Sequence, residues 1–477
     1  MSSYRQSRSL PNRFRLVLTS FLQRPGLPFA DALPEEAIHK AFDDEQASFA
    51  DELDAVYTPA LTVWAFLSQV LFKDEQRSCV AAVARVVVLL VALERGPCSN
   101  NTGAYCRARG KLSEKVIRRL AVEVANGCER QLDDPWLWHG RHVVLVDGTT
   151  VSMPDTLENQ EAYPQSASQQ KGLGFPIARV VVLLSLASGM VTDLAMGPYT
   201  GKETGETALL RELLDGCEPG DILLGDRYYC SYFMIALLME LGIDFVTRVH
   251  QRRIIDFRWG RRLARGDHLV EWSRPLRPAW MNQQTYDRMP ASIGVRQIHV
   301  RVGQPGFRTE SFVVVSTLTE VAEFSKDDIA ELYHYRWLAE LDIRAIKITM
   351  GMDILRCKTP PMVRKEMWTC LLAYNLIRQI MLQSARGSGI SPRRLSFTVA
   401  MQSIAASWLV VLLADDSVVA SLTEAALANL TCHIVGNRPG RVEPRAVKRR
   451  PKPLALLTQP RDQARAQLLS KKPEKPL

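Results

Sequence analysis

An α/β chain, with a mixed sheet that is interrupted by a β-rich insertion and flanked by a helical N-terminal region and a basic C-terminal tail, is the architecture predicted here. Three observations carry it. Short β-branched runs begin near residue 140 and alternate with helical spacing to residue 249. Strand-like pieces between Gly- and Pro-bearing turns fill 250–320, and the whole net charge of the chain lies in its last 40 residues. A length of 477 residues leaves room for two or three domains. Hydrophobic content of 47% and charged content of 23% exclude a disordered, collagenous or disulfide-stapled chain.

Residues 1–135 read as helical, with Pro34-Glu35-Glu36 opening one helix and Ser113 to Ala125 forming another. Three strands follow, at Val143 to Val146, Ile177 to Leu186 and Met190 to Met196, in the manner of an antiparallel meander. Then come helical spacing over Glu203 to Leu214, a buried strand at Ile222 to Leu224, a helix over Tyr232 to Leu241 and a strand over Asp244 to Val249. Three strands, helix, strand, helix, strand is the order of an RNase H-like domain, placed here at 136–249 and resumed at 321–385. The insertion at 250–320 holds strand pieces at His268 to Trp272, Gln297 to Val302 and Ser311 to Ser316. Helices resume at Lys326 to Thr349, Pro361 to Ser384 and around Ala400 to Ala414, with a helical region at 386–437. The segment 438–477 carries seven prolines, which deny it a long helix or central strand, so it reads as an extended tail.

Nine scattered cysteines with no CxxC pair point to a reducing compartment and away from zinc ribbons. The apolar stretch Leu16 to Phe21 is too short for a signal peptide core, and the run Cys79 to Leu93 is interrupted by Arg85 and too short to span a bilayer. A cytoplasmic protein with no membrane role is expected.

The formal charge is +9, and the tail alone holds 12 Lys plus Arg against 3 Asp plus Glu. Such a tail, with Lys448, Arg449 and Arg450 as its densest triplet, usually meets a polyanion, although a solvated terminus has the same composition. A second basic cluster runs from Arg248 to Arg265, where Arg252, Arg253, Arg261 and Arg262 stand near Phe257 and Trp259. Guanidinium forks suit phosphate oxygens and aromatic faces suit bases, so this composition fits nucleic acid; an exposed hairpin with a charged outer face would look the same.

Asp147 and Asp226 each follow a run of apolar strand residues. Carboxylates at strand ends are held rigidly and can share a metal, whereas for either one alone a turn-forming aspartate is the commoner case. Downstream, Tyr333, Arg336, Glu340 and Lys347 fall within about 60° of arc on one continuous helix, so a single face presents a phenol, a guanidinium, a carboxylate and an ammonium. A solvated face of charge pairs is the plainer account of that spacing.

The spacing Tyr-x2-Arg-x3-Glu-x6-Lys resembles the YREK signature of bacterial insertion-sequence DDE transposases of the IS-four type. Val146-Asp147-Gly148-Thr149-Thr150 with Pro154-Asp155-Thr156 looks like that family's first-acid region and Leu224-Gly225-Asp226-Arg227 like its second. The 114 residues from Asp226 to Glu340 are similar to its β-rich insertion, and the stretch from Gly436 through Pro453 also looks like family sequence.

The resemblance implies that Asp147, Asp226 and Glu340 are catalytic and hold two divalent ions, Mg²⁺ or Mn²⁺, which oxygen-only donors suit. It implies cut-and-paste DNA transposition by nicking, hairpin formation, hairpin opening and strand transfer. Tyr333, Arg336 and Lys347 would hold phosphates near the cut. Where several relatives place a base-stacking Trp, this chain offers Phe312, with Trp259 and Trp272 as rivals. A buried packing role is the plainer account of Phe312. Further expectations are DNA recognition by residues 1–135, terminal inverted repeats and target DNA as partners, a homodimer on DNA, and a nucleoid location. The alternatives are a catalytically silent DNA-binding relic or inhibitor, and a nuclease without strand transfer.

Overall fold

The computed structural model describes residues 33–49, 56–72, 74–92, 98–301, 311–413, 416–436 and 456–470. Up to residue 129 these are helical, as α1 (Glu35–Asp44), α2 (Pro59–Leu71), α3 (Cys79–Ala92), α4 (Thr102–Lys111) and α5 (Glu114–Glu129). Thr58 caps α2 by accepting from the Leu61 N–H, and Pro59 occupies the first turn, where a missing donor costs nothing. α5 buries Val116, Ile117, Leu120, Ala121, Val124 and Cys128 along one stripe, as a helix lying on a core must.

Among the described residues nine strands form one sheet. They are β1 (Val143–Ser152), β2 (Ile177–Ser185), β3 (Val191–Pro198), β4 (Ile222–Gly225), β5 (Asp244–Arg248), β6 (Arg261–Ala264), β7 (Asp267–Ser273), β8 (Ser292–Arg301) and β9 (Ser311–Ser316). Their order is β3-β2-β1-β4-β5-β9-β8-β7-β6. β1, β2 and β3 are antiparallel neighbours, whereas β1, β4 and β5 run parallel. Interleaved with them are α6 (Leu157–Ala162), α7 (Glu206–Arg211), α8 (Tyr232–Glu240) and α9 (Gln283–Arg288). The strands within 250–320 continue this sheet outward, because β9 pairs antiparallel with β5 and β8, β7 and β6 follow in turn.

Alternation along β1 divides the interior in two. Val143 and Leu145 enter the larger core with the long helix α12 (introduced below), while Val144 and Val146 pack with Leu209 and Leu210 of α7 and with α8. β1 pairs with β4 only from Val143 to Leu145, yet continues to Ser152 against β2. The carboxyl ends of β1 and β4 therefore part where the strand order turns, which is where open α/β sheets place their ligands.

The stretch 326–349, drawn above as one helix, is three pieces: α10 (Lys326–Tyr335), α11 (Trp337–Arg344) and a π-helical turn (Ala345–Thr349). Ser325 and Asp328 form a capping box at the start of α10. At its end the Arg336 N–H bonds the Tyr333 carbonyl and the Ala339 N–H bonds that of Arg336, so the chain tightens through three-residue turns. After the π turn, α12 (Pro360–Ser388) begins on two prolines and ends at Gly389 with φ +67°, a left-handed cap that glycine adopts without strain. It is buried for most of its length, and its Arg378 joins Arg393 in binding the buried Asp342 of α11.

α13 (Phe397–Leu413) and α14 (Asp416–Cys432) follow. In the tail, Arg461–Ser470 forms a helix, α15, rather than extended chain. No proline stands between Pro460 and Pro473, so nothing in that stretch opposes helix formation. Lys448, Arg449 and Arg450 lie outside the described residues. Among the described residues no helix is long and apolar enough to cross a membrane.

Candidate active site

Asp147 stands on β1 just past the point where β4 leaves it, and its Oδ1 accepts from the Gly148 N–H at 2.8 Å. Burial pushes its carboxyl up to about 6, reinforced by the negative charges of Asp226 and Glu340 and opposed by the Arg336 cation. Asp226 directly follows β4. Its Oδ1 accepts from the Tyr228 N–H at 2.6 Å, and its carbonyl accepts from Thr247 Oγ1 of β5, so backbone and side chain are both held in the turn. Glu340 lies on α11, where its Oε1 accepts from Arg336 at 2.8 Å.

The cations arrive from the same segment. Arg336 occupies the joint between α10 and α11, and Glu340, one turn later, still shares its face despite the broken helix. Lys347 lies in the π turn and reaches back to β1, donating to Thr149 Oγ1 at 3.0 Å and to the Thr150 carbonyl at 2.7 Å. Burial lowers its ammonium from the ordinary value. Tyr333 is buried at the end of α10 and its hydroxyl is pushed up to about 12, with the Arg336 and Arg248 cations acting against burial.

Phe312 on β9 sits half-buried, its ring 5.3 Å from that of Tyr333, with the Arg248 guanidinium also 5.3 Å from the Phe312 ring centroid. The two rival aromatics lie elsewhere. Trp272 on β7 is buried against the second core and covered by Arg253 at 3.5 Å, so its ring has no free face for a base. Trp259 is 72% exposed and Arg252, Arg261 and Arg262 are exposed with it, at or near the far edge strand β6.

Residues without a motif also belong here. Glu206, the first residue of α7, packs on Gly148, where an added Cβ would lie 2.3 Å from the Glu206 Cδ. Burial raises the Glu206 carboxyl, with Arg179 of β2 opposing and Asp226 reinforcing. Tyr229 is fully buried beside them and feels Glu206, Asp147 and Asp226 together. Spacing singles out neither residue. The usable signal was Gly148, a glycine inside a strand, which marks a close approach by another group.

The donor set is oxygen-only, and Asp147, raised to about 6 mainly by burial and further by the neighbouring acids, gains from a positive charge beside it, so the chemistry fits a hard divalent cation. Among the described residues, as they stand, no three metal-ligating side chains close around one point. Glu340 is turned to Arg336 instead.

The family profile of the transposase DDE domain matches residues 138–376. Transposase InsG for insertion sequence element IS4 of Escherichia coli (strain K12) is 27% identical over 299 residues, covering 62% of this chain and 64% of that protein. Putative transposase InsZ of the same strain is 27% identical over 144 residues, 30% of this chain and 46% of that protein. This chain therefore spans less than two thirds of either relative. The cryo-EM structure of a piggyBac transposase synaptic complex with hairpin DNA aligns over 87% of this chain and 80% of that one, with TM-score 0.41 and 11% identity.

Proposed function

Since this chain belongs to the transposase DDE domain family, we propose that it cuts the ends of an insertion sequence and joins them to target DNA. One observation carries the reading. Asp226 and Glu340, far from Asp147 in sequence, lie near enough to it at the parted ends of β1 and β4 for their negative charges to bear on its carboxyl. In this reading the five strands β3-β2-β1-β4-β5 form an RNase H-like core, supported by their order and by the parallel turn at β4 and β5.

Asp147, Asp226 and Glu340 would hold Mg²⁺ or Mn²⁺, two ions in the fully loaded site, which supply an activated water or hydroxyl and offset charge on the departing 3′ oxygen. The chain's own groups do the positioning. Asp147 is kept in place by the Gly148 N–H and Asp226 by its turn, so neither carboxylate pays to reorganise. Arg336, now on Glu340, and Lys347, now on Thr149, are cations within the site that can move onto phosphate oxygens. Tyr333 is fixed by burial against Phe312 and can offer its neutral hydroxyl to a phosphate.

The exposed Arg252, Trp259, Arg261 and Arg262 would grip flanking duplex, and the basic tail adds a further contact. A hairpin intermediate, a homodimer pairing two ends, and action in the bacterial cytoplasm at the nucleoid belong to the same proposal. The test is strand cleavage and strand transfer on oligonucleotides carrying the element's terminal repeats, with Mg²⁺. Asp147→Ala, Asp226→Ala and Glu340→Ala should each bring cleavage to background while end binding survives. Cleavage near the wild-type rate in any one of them removes that residue from the triad, and cleavage without joining makes the protein a nuclease.

A further inference from the structure

Arg77 ends a short 3₁₀ turn (Asp74–Arg77) between α2 and α3, outside the residues 138–376 that match the transposase domain, yet its buried guanidinium reaches into that domain. It donates to the Gly351 carbonyl at 2.5 Å and pairs with Glu366 of α12 at 3.1 Å, both side chains being 4% exposed. Glu366 in turn accepts from the Arg356 N–H at 2.9 Å and from the Cys357 N–H at 2.8 Å. The pair thus grips both ends of the loop 351–357. Gln69 of α2 steadies it from behind by donating to the Arg77 carbonyl at 2.6 Å.

That loop is the exit of the π turn that carries Lys347. Its bonds back to the turn are long, 3.3 Å from the Met352 N–H to the Ile346 carbonyl and 3.4 Å from the Asp353 N–H to the Lys347 carbonyl, so they hold it weakly. Its inner side is bonded to the end of β1, where the Ser152 N–H donates to the Asp353 carbonyl at 3.0 Å and the Leu355 N–H to the Ser152 carbonyl at 2.9 Å. Lys347 meets the same strand a little earlier, at Thr149 and Thr150. The loop therefore sets where Lys347 stands on β1, and Arg77 with Glu366 sets the outer side of the loop.

A buried ion pair is weak evidence for stability, because apolar side chains of similar volume often serve as well or better. An apolar pair cannot fix one carbonyl and two N–H groups at chosen points, as this pair does. We propose that Arg77 is a positioning residue for Lys347: with Glu366 it clamps the loop 351–357, so that the N-terminal helical region sets where the Lys347 ammonium stands beside the acids. The inference rests on the reading of Lys347 as a phosphate-binding cation.

The test is cleavage and joining by the full chain on end oligonucleotides in saturated complexes, with nicked, hairpin and open ends resolved on gels, beside end affinity and thermal melts. Arg77→Met with Glu366→Gln removes both charges and strands neither, Arg77→Lys keeps the charge and loses the fork, and each is combined with Lys347→Ala. The Arg77→Met and Glu366→Gln pair should slow the saturated complex about ten- to hundredfold, at the step that Lys347→Ala slows, with end affinity unchanged. Arg77→Lys should recover part of that rate. In the Lys347→Ala background neither should slow the reaction further, since no ammonium is left to place. A residue that serves the fold alone would instead lower the melting temperature and the active fraction, and its losses would multiply with those of Lys347→Ala. If the losses multiply, or if both Arg77 variants react as the wild type does when saturated, Arg77 is a packing residue and the inference falls alone. If Lys347→Ala itself reacts as the wild type does, the reading of Lys347 fails and takes the inference with it. Should the Arg77→Met and Glu366→Gln pair not fold, Arg77→Lys decides by the same two comparisons.

Discussion

Arg336 holds Glu340 in an ion pair 2.8 Å long across the joint between α10 and α11. In this state the chain neutralises the third acid itself, and the same guanidinium also eases the charge on Asp147. A metal ion and Arg336 therefore compete for Glu340. Arg336→Ala should tighten Mn²⁺ binding about two- to fivefold, the worth of a half-exposed pair. The same variant, and Lys347→Ala, should slow hairpin formation or opening more than first-strand nicking, because their cations would serve phosphates of a distorted strand. Metal titration and gels resolving nicked, hairpin and open ends check both halves. Weaker metal binding in Arg336→Ala would mean that the arginine positions Glu340 rather than competing for it.

The raised pKa of Asp147 sets a pH dependence for the metal-free protein. Below pH 3.8 the residue keeps its proton whether the chain is folded or not. Between 3.8 and about 6 the unfolded chain gives up its proton first, so stability falls as pH rises, and the loss is complete above about 6. The loss amounts to about 3 kcal/mol at most. Asp147→Asn, which can still accept from the Gly148 N–H, should recover much of it. In EDTA the variant should unfold at higher denaturant than wild type at pH 7, and the two should coincide near pH 4. Coincidence at both pH values would show that Asp147 is solvated rather than buried.

Much of this arrangement is legible in the sequence, for physical reasons that also mark where legibility ends. Ser311–Ser316 and Ile177–Ser185 are strands where β-branched runs are bounded by turn residues, and α8 begins at Tyr232 as its spacing predicts. Those signals are local. The pairing of β9 with β5 is not, so nothing in residues 250–320 announces that they extend the sheet. The break at Arg336 hides because Tyr333, Arg336 and Glu340 keep helical spacing through two different kinds of turn. Trp272 and Trp259 look alike in sequence, yet strand alternation sends the first into a core and a bend leaves the second outside. Glu206 is one of several acids around α7, and only the packing against Gly148 distinguishes it.

Asp342 is a structural counterpart to the acids of the site, on the same helix as Glu340. It is 2% exposed and bound by both Arg378 of α12 and Arg393, tying α11 to the long helix and to the segment beyond it. Asp342→Ala leaves two buried guanidinium groups without their partner and should cost about 3–5 kcal/mol. A denaturant midpoint measured against wild type reads this directly. A change below about 1 kcal/mol would show that water reaches the arginines and solvates them.

The last prediction concerns the outer edge of the sheet. β6 lies six strands from β1 in the sheet order, about 29 Å at the usual spacing between strands. Arg261 and Arg262 on it are exposed, so they cannot reach phosphates at the cut while Asp147 works there, but they can reach duplex some eight or nine base pairs away, at about 3.4 Å per pair. Each phosphate contact they make should add about 0.9 to the slope of log K against log salt. Arg261→Ala with Arg262→Ala should lower that slope by up to about 1.8, weaken end and random DNA alike, and leave the cleavage rate of saturated complexes unchanged. Binding at several salt concentrations, with footprinting of the same complexes, tests the claim. A slope unchanged by the double substitution would return this edge to solvent, and a lowered cleavage rate at saturation would place it nearer the reacting strand than the sheet order allows.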